Sequence, residues 1–87
     1  MKPTISKAMI RRKIREVLNI RAGYGKTEAF LLEAVNELVG GGVSLQELRD
    51  GIEWNHGRMF VRSEWEEESE TKLWFITKEG KAEENLK

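Results

Sequence analysis

The fold is decided by the stretch from residue 59 to residue 77, which reads MFVRSEWEEESETKLWFIT. Residues 59–65 have a period close to two and are rich in the aromatic and β-branched residues that favour strands. Residues 66–70 are four glutamates and a serine, which favours a solvated loop that protects the hairpin edge. Residues 72–77 again favour a strand, so the sequence predicts two antiparallel strands joined as a β-hairpin.

Upstream of this hairpin the apolar residues recur with the period of an α-helix. A first amphipathic helix is predicted by apolar residues spaced i, i+4, i+7 and i+8, which are Ile10, Ile14, Val17 and Leu18. Thr4 or Ser6 is expected to cap the start of this helix. Residues 22–25 include two glycines, which are expected to end it in a left-handed turn.

Two further helices are predicted before the hairpin. Thr27 is a good N-cap for the second helix, and residues 40–42, all glycine, end it. Its predicted apolar stripe, with Phe30 beside it, is Leu31, Ala34, Val35, Leu38 and Val39. Ser44 followed three residues later by Glu47 is a capping-box pattern that opens the third helix. The residues expected to face inward from that helix are Leu45, Leu48 and Ile52.

Length and composition indicate one small soluble domain. The 87 residues fit a single domain spanning 1–87, in which most apolar side chains are needed for the core. The chain has no cysteine, which excludes a disulfide, a thiolate zinc site and a cysteine nucleophile. There is no apolar run long enough to cross a bilayer and no signal-peptide block at the start. We therefore predict a cytoplasmic protein without a membrane partner.

The net charge of zero conceals a separation of charge along the chain. Residues 1–26 hold eight basic residues and one acidic residue, for a net charge of +7. Residues 27–87 hold seven basic and fourteen acidic residues, for a net charge of −7. Such asymmetry is typical of a nucleic-acid-binding segment. It is equally typical of a basic helix that packs beside acidic elements of its own chain or of a second copy.

Helix, helix, glycine turn, helix and hairpin follow one another in the order found in winged helix-turn-helix domains. Residues 73–82, LWFITKEGKA, also resemble the end of the wing in that family, where a strand leads into Thr-x-x-Gly and a last helix capped here by Thr77. The resemblance covers nearly the whole chain without identifying a subfamily. It implies an α+β fold, a third helix placed for the major groove and a hairpin placed against the neighbouring DNA backbone or minor groove.

The third helix and the hairpin loop carry the wrong charge for that role. The outward face of the third helix is predicted to be acidic, with Gln46, Glu47, Asp50 and Glu53 and with Arg49 on its flank. Because Lys and Arg supply most of the affinity for phosphates, a nucleic-acid function would rely on the first helix and a few neighbours. The candidate contacts are Lys7, Arg11, Arg12, Arg15, Arg49, Arg58 and Arg62. Lys7, Arg11 and Arg15 recur every four residues and form a basic stripe on the first helix. The alternative interpretation of this basic stripe is an ordinary solvated helix face.

Three tryptophans are many for so small a chain. Trp54, Trp65 and Trp74 are the candidate protein-interface residues, because exposed tryptophan is enriched at interfaces. Phe60 and Trp65 are predicted to lie on opposite faces of the hairpin, as are Trp74 and Phe75. One face is expected to pack on the helices. The other is either partly exposed or covered by the terminal helix or tail.

No catalytic or cofactor site is predicted. Residues 25–27 read Gly-Lys-Thr, but a P-loop needs a glycine where Ile20 stands and a buried strand before it. His56 is the only histidine and has no partners spaced for a metal site or a catalytic pair, so we expect it to bind helix-end carbonyls. We therefore predict a protein that is not an enzyme and has no metal, cofactor or small-molecule substrate.

Two functions are compatible with the sequence. The first is a regulatory module that binds duplex DNA, for which reversing Arg11 and Arg15 to Glu should weaken binding without disturbing the fold. The second is a protein-interaction or self-association module that has lost DNA binding, with a protein partner or a second copy as its ligand. The fold resemblance and the +7 N-terminal segment favour the first function, which we rank first. The acidic third helix, the acidic hairpin loop and the surplus aromatic residues favour the second.

Overall fold

The computed structural model describes residues 5–84, and its helices and strands follow the predicted order. Within these residues no helix combines the length and the apolar character needed to cross a membrane. The elements are α1 (Lys7–Asn19), α2 (Glu28–Val39), α3 (Leu45–Gly57), β1 (Val61–Glu66), β2 (Thr71–Ile76) and α4 (Lys78–Glu84).

The predicted helix starts are confirmed by their side-chain caps. The hydroxyl groups of Ser6 and Thr27 accept hydrogen bonds, at 3.0 and 3.1 Å, from the backbone N–H three residues further on. Ser44 and Glu47 form the complete capping box, with distances of 3.1 and 3.0 Å. Each cap satisfies backbone donors that the first helical turn leaves without partners. Thr4, the other candidate cap of α1, lies outside the described residues.

The predicted end of α1 is wrong. The helix stops at Asn19, and the residue in the left-handed conformation is Arg21, with φ of 53°, while neither glycine of the connection has a positive φ. The ammonium group of Lys26 donates to the carbonyl oxygens of Ile20 and Tyr24, at 2.7 and 3.2 Å, and also to that of Arg21. These bonds stabilise a turn that would otherwise favour glycine.

The hairpin is antiparallel, and its register pairs Val61 with Ile76 at one end and Glu66 with Thr71 at the other. The first strand begins two residues later than predicted. The reason is that the backbone N–H of Phe60 donates to the carbonyl oxygen of Asn55, at 2.9 Å, so that residues 58–60 form the exit turn of α3.

A third backbone segment pairs with the hairpin, which the sequence did not predict. The backbone groups of Lys26 and Trp74 exchange two hydrogen bonds, at 3.0 and 2.8 Å, on the side of β2 away from β1. The connection between α1 and α2 is thereby joined to the hairpin, and β2 lies between β1 and this connection.

The core lies where the three long helices meet one face of the hairpin. Its members are Ile10, Ile14, Val17, Leu18, Leu31, Val35, Val43, Leu48, Ile52, Val61, Trp74 and Ile76. Two residues predicted to face inward do not belong to it, because Leu45 is 39% and Leu38 is 48% exposed. Leu45 lies in the first turn of α3. Leu38 belongs to a second apolar row on α2.

Replacing Leu48 by alanine is expected to lower the free energy of unfolding by about 2–5 kcal/mol, because its fully buried side chain would leave a cavity. Urea unfolding followed by circular dichroism measures the loss. Leu45→Ala, three residues earlier on the same helix, is the matched control and should cost less than half as much, since Leu45 is partly exposed. Equal losses would contradict the observed rotation of α3.

Candidate nucleic-acid interface

Two arginines from different elements contact the ring of one tryptophan. The guanidinium of Arg11, on α1, lies 4.5 Å from a ring centroid of Trp54, and that of Arg58, just after α3, lies 4.4 Å from it. Phe60 supports the indole, with the ring centroids 6.1 Å apart. We call Arg11, Trp54 and Arg58 the Trp54 clamp. A guanidinium stacked by its face still has its N–H groups at the edge, where they can bind phosphate oxygens.

Further positive charge lies on α1 beside the Trp54 clamp. Lys7 is exposed one helical turn before Arg11, and Arg12 is exposed at the position after Arg11, about 100° further round the helix. We call Lys7, Arg11, Arg12 and Arg58 the basic surface. Glu47 and Asp50 of α3 line the shallow groove beside Lys7 and Arg11, so this surface is bounded by acidic residues on the α3 side.

The expectation that Arg15 is an exposed member of the basic stripe is wrong. Its side chain is only 10% exposed and pairs with that of Glu84, with 3.3 Å between Nε and Oε1. Its Nη1 also donates to Oδ1 of Asn55 at 3.0 Å. α4 brings Glu84 over this position, so the charge of Arg15 serves to connect α1, α3 and α4.

Arg49 and Arg62 are exposed, but each is paired with an acid. Arg49 donates two hydrogen bonds to the carboxylate of Glu28, at 2.8 and 3.0 Å, and this contact raises the pKa of Arg49. Arg62 pairs with Glu64 and stacks on Phe75, 4.4 Å from the ring centroid. A phosphate would have to compete with a carboxylate at either position, which makes both weaker candidates than the basic surface.

The face of α3 that would enter the major groove is acidic, as predicted. Glu47, Asp50 and Glu53 are exposed, and the amide of Gln46 donates to Asp50 at 2.9 Å. The hairpin loop, residues 67–70, is exposed and carries further glutamates. These groups repel phosphate, so the conventional docking face of a winged helix is unfavourable here.

The three tryptophans have different environments, and one prediction about them is wrong. Trp74 is buried, with 7% exposure, because it faces the helices from β2. Trp54 is half-buried in its clamp, whereas Trp65 is 58% exposed. Trp65 and Trp74 lie on the same hairpin face, but Trp65 is near the loop, beyond the core. Only Trp65 retains the exposure expected of a protein-interface tryptophan.

The second face of the hairpin is covered by a segment that the sequence did not suggest. A Cβ atom on Gly25 would lie 2.6 Å from the ring of Phe75 and 2.8 Å from Cβ of Leu73. The connection between α1 and α2 therefore packs directly on this face, beside the stacked guanidinium of Arg62. This close approach explains the glycine of the Gly-Lys-Thr stretch, because only glycine fits at position 25.

The side chain of His56 makes a different contact from the predicted one. Its exposed ring contacts Trp74 edge-on, with the centroids 5.8 Å apart, and its backbone carbonyl accepts a hydrogen bond from Met59. The expectation that its side chain caps the end of α3 is therefore replaced by an aromatic contact with the hairpin.

Comparison with known proteins identifies a fold and no family. No protein-family model matches the chain, and no curated protein matches it in sequence. The solved crystal structure of SSV1 F-93 is similar, with a TM-score of 0.65 at 18% sequence identity. The match covers 93% of this chain and 80% of that one. The likeness concerns the fold alone, and the chain has the α+β winged-helix arrangement that its element order predicted.

Proposed function

We propose that this chain is a small non-enzymatic regulatory module that binds duplex DNA through its basic surface. The observation that carries the proposal is the Trp54 clamp, in which two guanidinium groups lie against one indole ring. Their entropy is already reduced before a ligand arrives, so less is lost on binding. Lys7 and Arg12 add two exposed cations on the same helix as Arg11.

Such a surface suits the phosphate backbone better than the bases. Arginine and lysine neutralise phosphates and thereby release counterions, whereas base recognition needs an element inserted in a groove. The acidic face of α3 opposes insertion. We therefore expect binding with little sequence preference, since phosphate contacts carry no direct sequence information.

Duplex binding should be measured by fluorescence anisotropy over a series of salt concentrations. Four cations predict a slope of log K against log salt of about −3 to −4, and a Kd of about 10⁻⁴–10⁻⁶ M at physiological salt. The double substitution Arg11→Gln with Arg58→Gln should weaken binding about tenfold or more and reduce the slope by about 2. The absence of binding even at low salt would end the proposal.

Arg49→Gln is the matched control, because it removes one guanidinium from α3 and leaves the basic surface unchanged. It should alter binding much less than Arg58→Gln. Circular dichroism should show that all variants remain folded, since each lost cation–π contact costs only about 0.5–1 kcal/mol. A larger effect of Arg49→Gln would instead identify α3 as the docking face.

A protein-interaction function is the second candidate, and one observation favours it. Phe30 and Leu38 are 51% and 48% exposed and line one groove on α2. Apolar side chains that form a continuous exposed patch often mark an interface between proteins.

A further inference from the structure

The helix α2 has a second apolar row that the core leaves uncovered. Phe30, Ala34 and Leu38 are spaced by four residues and line one groove together with Ile20, from just beyond the end of α1. Phe30, Leu38 and Ile20 are 51%, 48% and 59% exposed. We call these four residues the α2 groove. The sequence signal was that α2 holds more apolar residues than one helix face can bury.

The two ends of the α2 groove carry opposite charge. Lys26 lines the end next to the start of α2. Arg21 lies next to it, because the Lys26 ammonium group donates to the Arg21 carbonyl oxygen at 3.4 Å. Partial burial and the charge of Arg21 lower the pKa of Lys26. Glu37 lines the other end, in the last turn of α2, where there is no basic residue. A carboxylate at that position opposes the helix dipole, so a cation brought there from outside would be stabilising.

We propose that the α2 groove binds a second copy of this chain, with the two α2 helices antiparallel about a two-fold axis near Ala34. Phe30 and Leu38 are equally distant from Ala34 along the helix, so Phe30 of each copy packs against the partner's Leu38. The small side chain of Ala34 allows the two helices to approach closely at the centre. Such an interface is self-complementary, as a two-fold dimer requires.

The charges select the antiparallel arrangement. It places the end with Arg21 and Lys26 in one copy beside Glu37 of the partner subunit, and the same contact occurs twice. A parallel arrangement would instead place Glu37 beside Glu37 of the partner subunit, which is repulsive. This dimer involves residues outside the basic surface, so it does not depend on nucleic-acid binding.

Sedimentation equilibrium over about a hundredfold range of protein concentration should show a reversible dimer. Phe30→Glu and Leu38→Glu should each shift the protein to monomer, because a charge would be buried at the interface. Both residues are about half exposed within one chain, so the fold should persist. Trp65→Glu, which changes an exposed aromatic outside the groove, is the matched control and should remain dimeric. A monomeric wild type, or dissociation by Trp65→Glu alone, would overturn the proposal.

A charge exchange tests the antiparallel contact itself. Arg21→Glu and Glu37→Lys should each dimerise more weakly than the wild type. Arg21→Glu adds a carboxylate that faces Glu37 of the partner subunit and leaves Lys26 as the remaining cation at that end, and Glu37→Lys places a lysine beside Arg21 and Lys26 at both ends of the interface. An equal mixture should form heterodimers. At one end the glutamate introduced at position 21 would face the lysine introduced at position 37, and the other end would keep its native pair of charges.

Native mass spectrometry distinguishes these heterodimers from homodimers by mass. Heterodimers that outnumber the homodimers of either variant in the mixture are the expected result. A mixture that stays monomeric, or single variants that dimerise like the wild type, would overturn the arrangement.

Discussion

Replacing Arg15 by methionine is expected to lower the free energy of unfolding by about 3–5 kcal/mol, because the buried Glu84 carboxylate loses its guanidinium. The Glu84 side chain is 6% exposed, so water replaces that contact poorly. Asn55 also loses the donor that lies 3.0 Å from its Oδ1. Methionine fills much of the same space, so the loss should report the charge and its hydrogen bonds.

Urea unfolding of three variants separates this effect from a general effect of removing a cation. Arg12→Met, at the exposed position three residues earlier on α1, should change stability by about 0.5 kcal/mol or less. The double variant Arg15→Met with Glu84→Leu should recover part of the loss, because both buried charges are then removed together. Equal losses for Arg15→Met and Arg12→Met would contradict the burial of this ion pair.

The helix starts could be predicted because their physics is local. Ser6, Thr27 and the pair Ser44 and Glu47 each satisfy backbone groups within three residues. The hairpin could be predicted for the same reason, from its alternating residues and its polar loop. The spacing of residues in the sequence predicts helix ends less well than helix starts. The left-handed residue after α1 is Arg21 and not a glycine. There the deciding contacts come from Lys26, which also pairs with β2.

The errors at Arg15 and Trp74 share one cause. On α1 alone, Arg15 is spaced to join Arg11 in a basic stripe, and nothing near it in the sequence indicates burial. Its partner Glu84 is 69 residues away. The sequence alone does not decide whether Trp74 faces solvent or the core, because this depends on how the hairpin packs on the helices. Burial of a charged or aromatic residue depends on elements that one segment does not contain.

The Trp54 clamp illustrates what the sequence could and could not predict about the candidate site. Arg11 and Arg58 were both candidate nucleic-acid contacts, while Trp54 was a candidate for a protein interface. Arginine is a residue type suited to binding anions, but the stacking of all three side chains depends on the packing of α1 against α3. The acidic character of α3 was predictable from helical periodicity alone, and it is the feature that moves the proposed contact away from the usual face.

Replacing Gly80 by alanine is expected to lower the free energy of unfolding by about 3 kcal/mol or more. A Cβ atom at this position would lie 2.1 Å from the carbonyl oxygen of Phe60 and 2.7 Å from Cγ1 of Ile76. The first clash is with backbone, so it cannot be relieved by a change of rotamer. α4 would have to move away from the hairpin, which would also draw Glu84 away from Arg15. Urea unfolding measures the loss.

Gly57→Ala is the matched control, because apart from its chain neighbours and its own helix backbone nothing lies within 4 Å of the added Cβ at the end of α3. It should leave stability unchanged or raise it by up to about 1 kcal/mol, since alanine is the better helix former. The double variant Gly80→Ala with Arg15→Met should lose less than the sum of the single losses, because both changes release the same contact of α4. Additive losses would show that α4 stays docked after Gly80→Ala, and that the buried ion pair stabilises the fold independently of the hairpin contact.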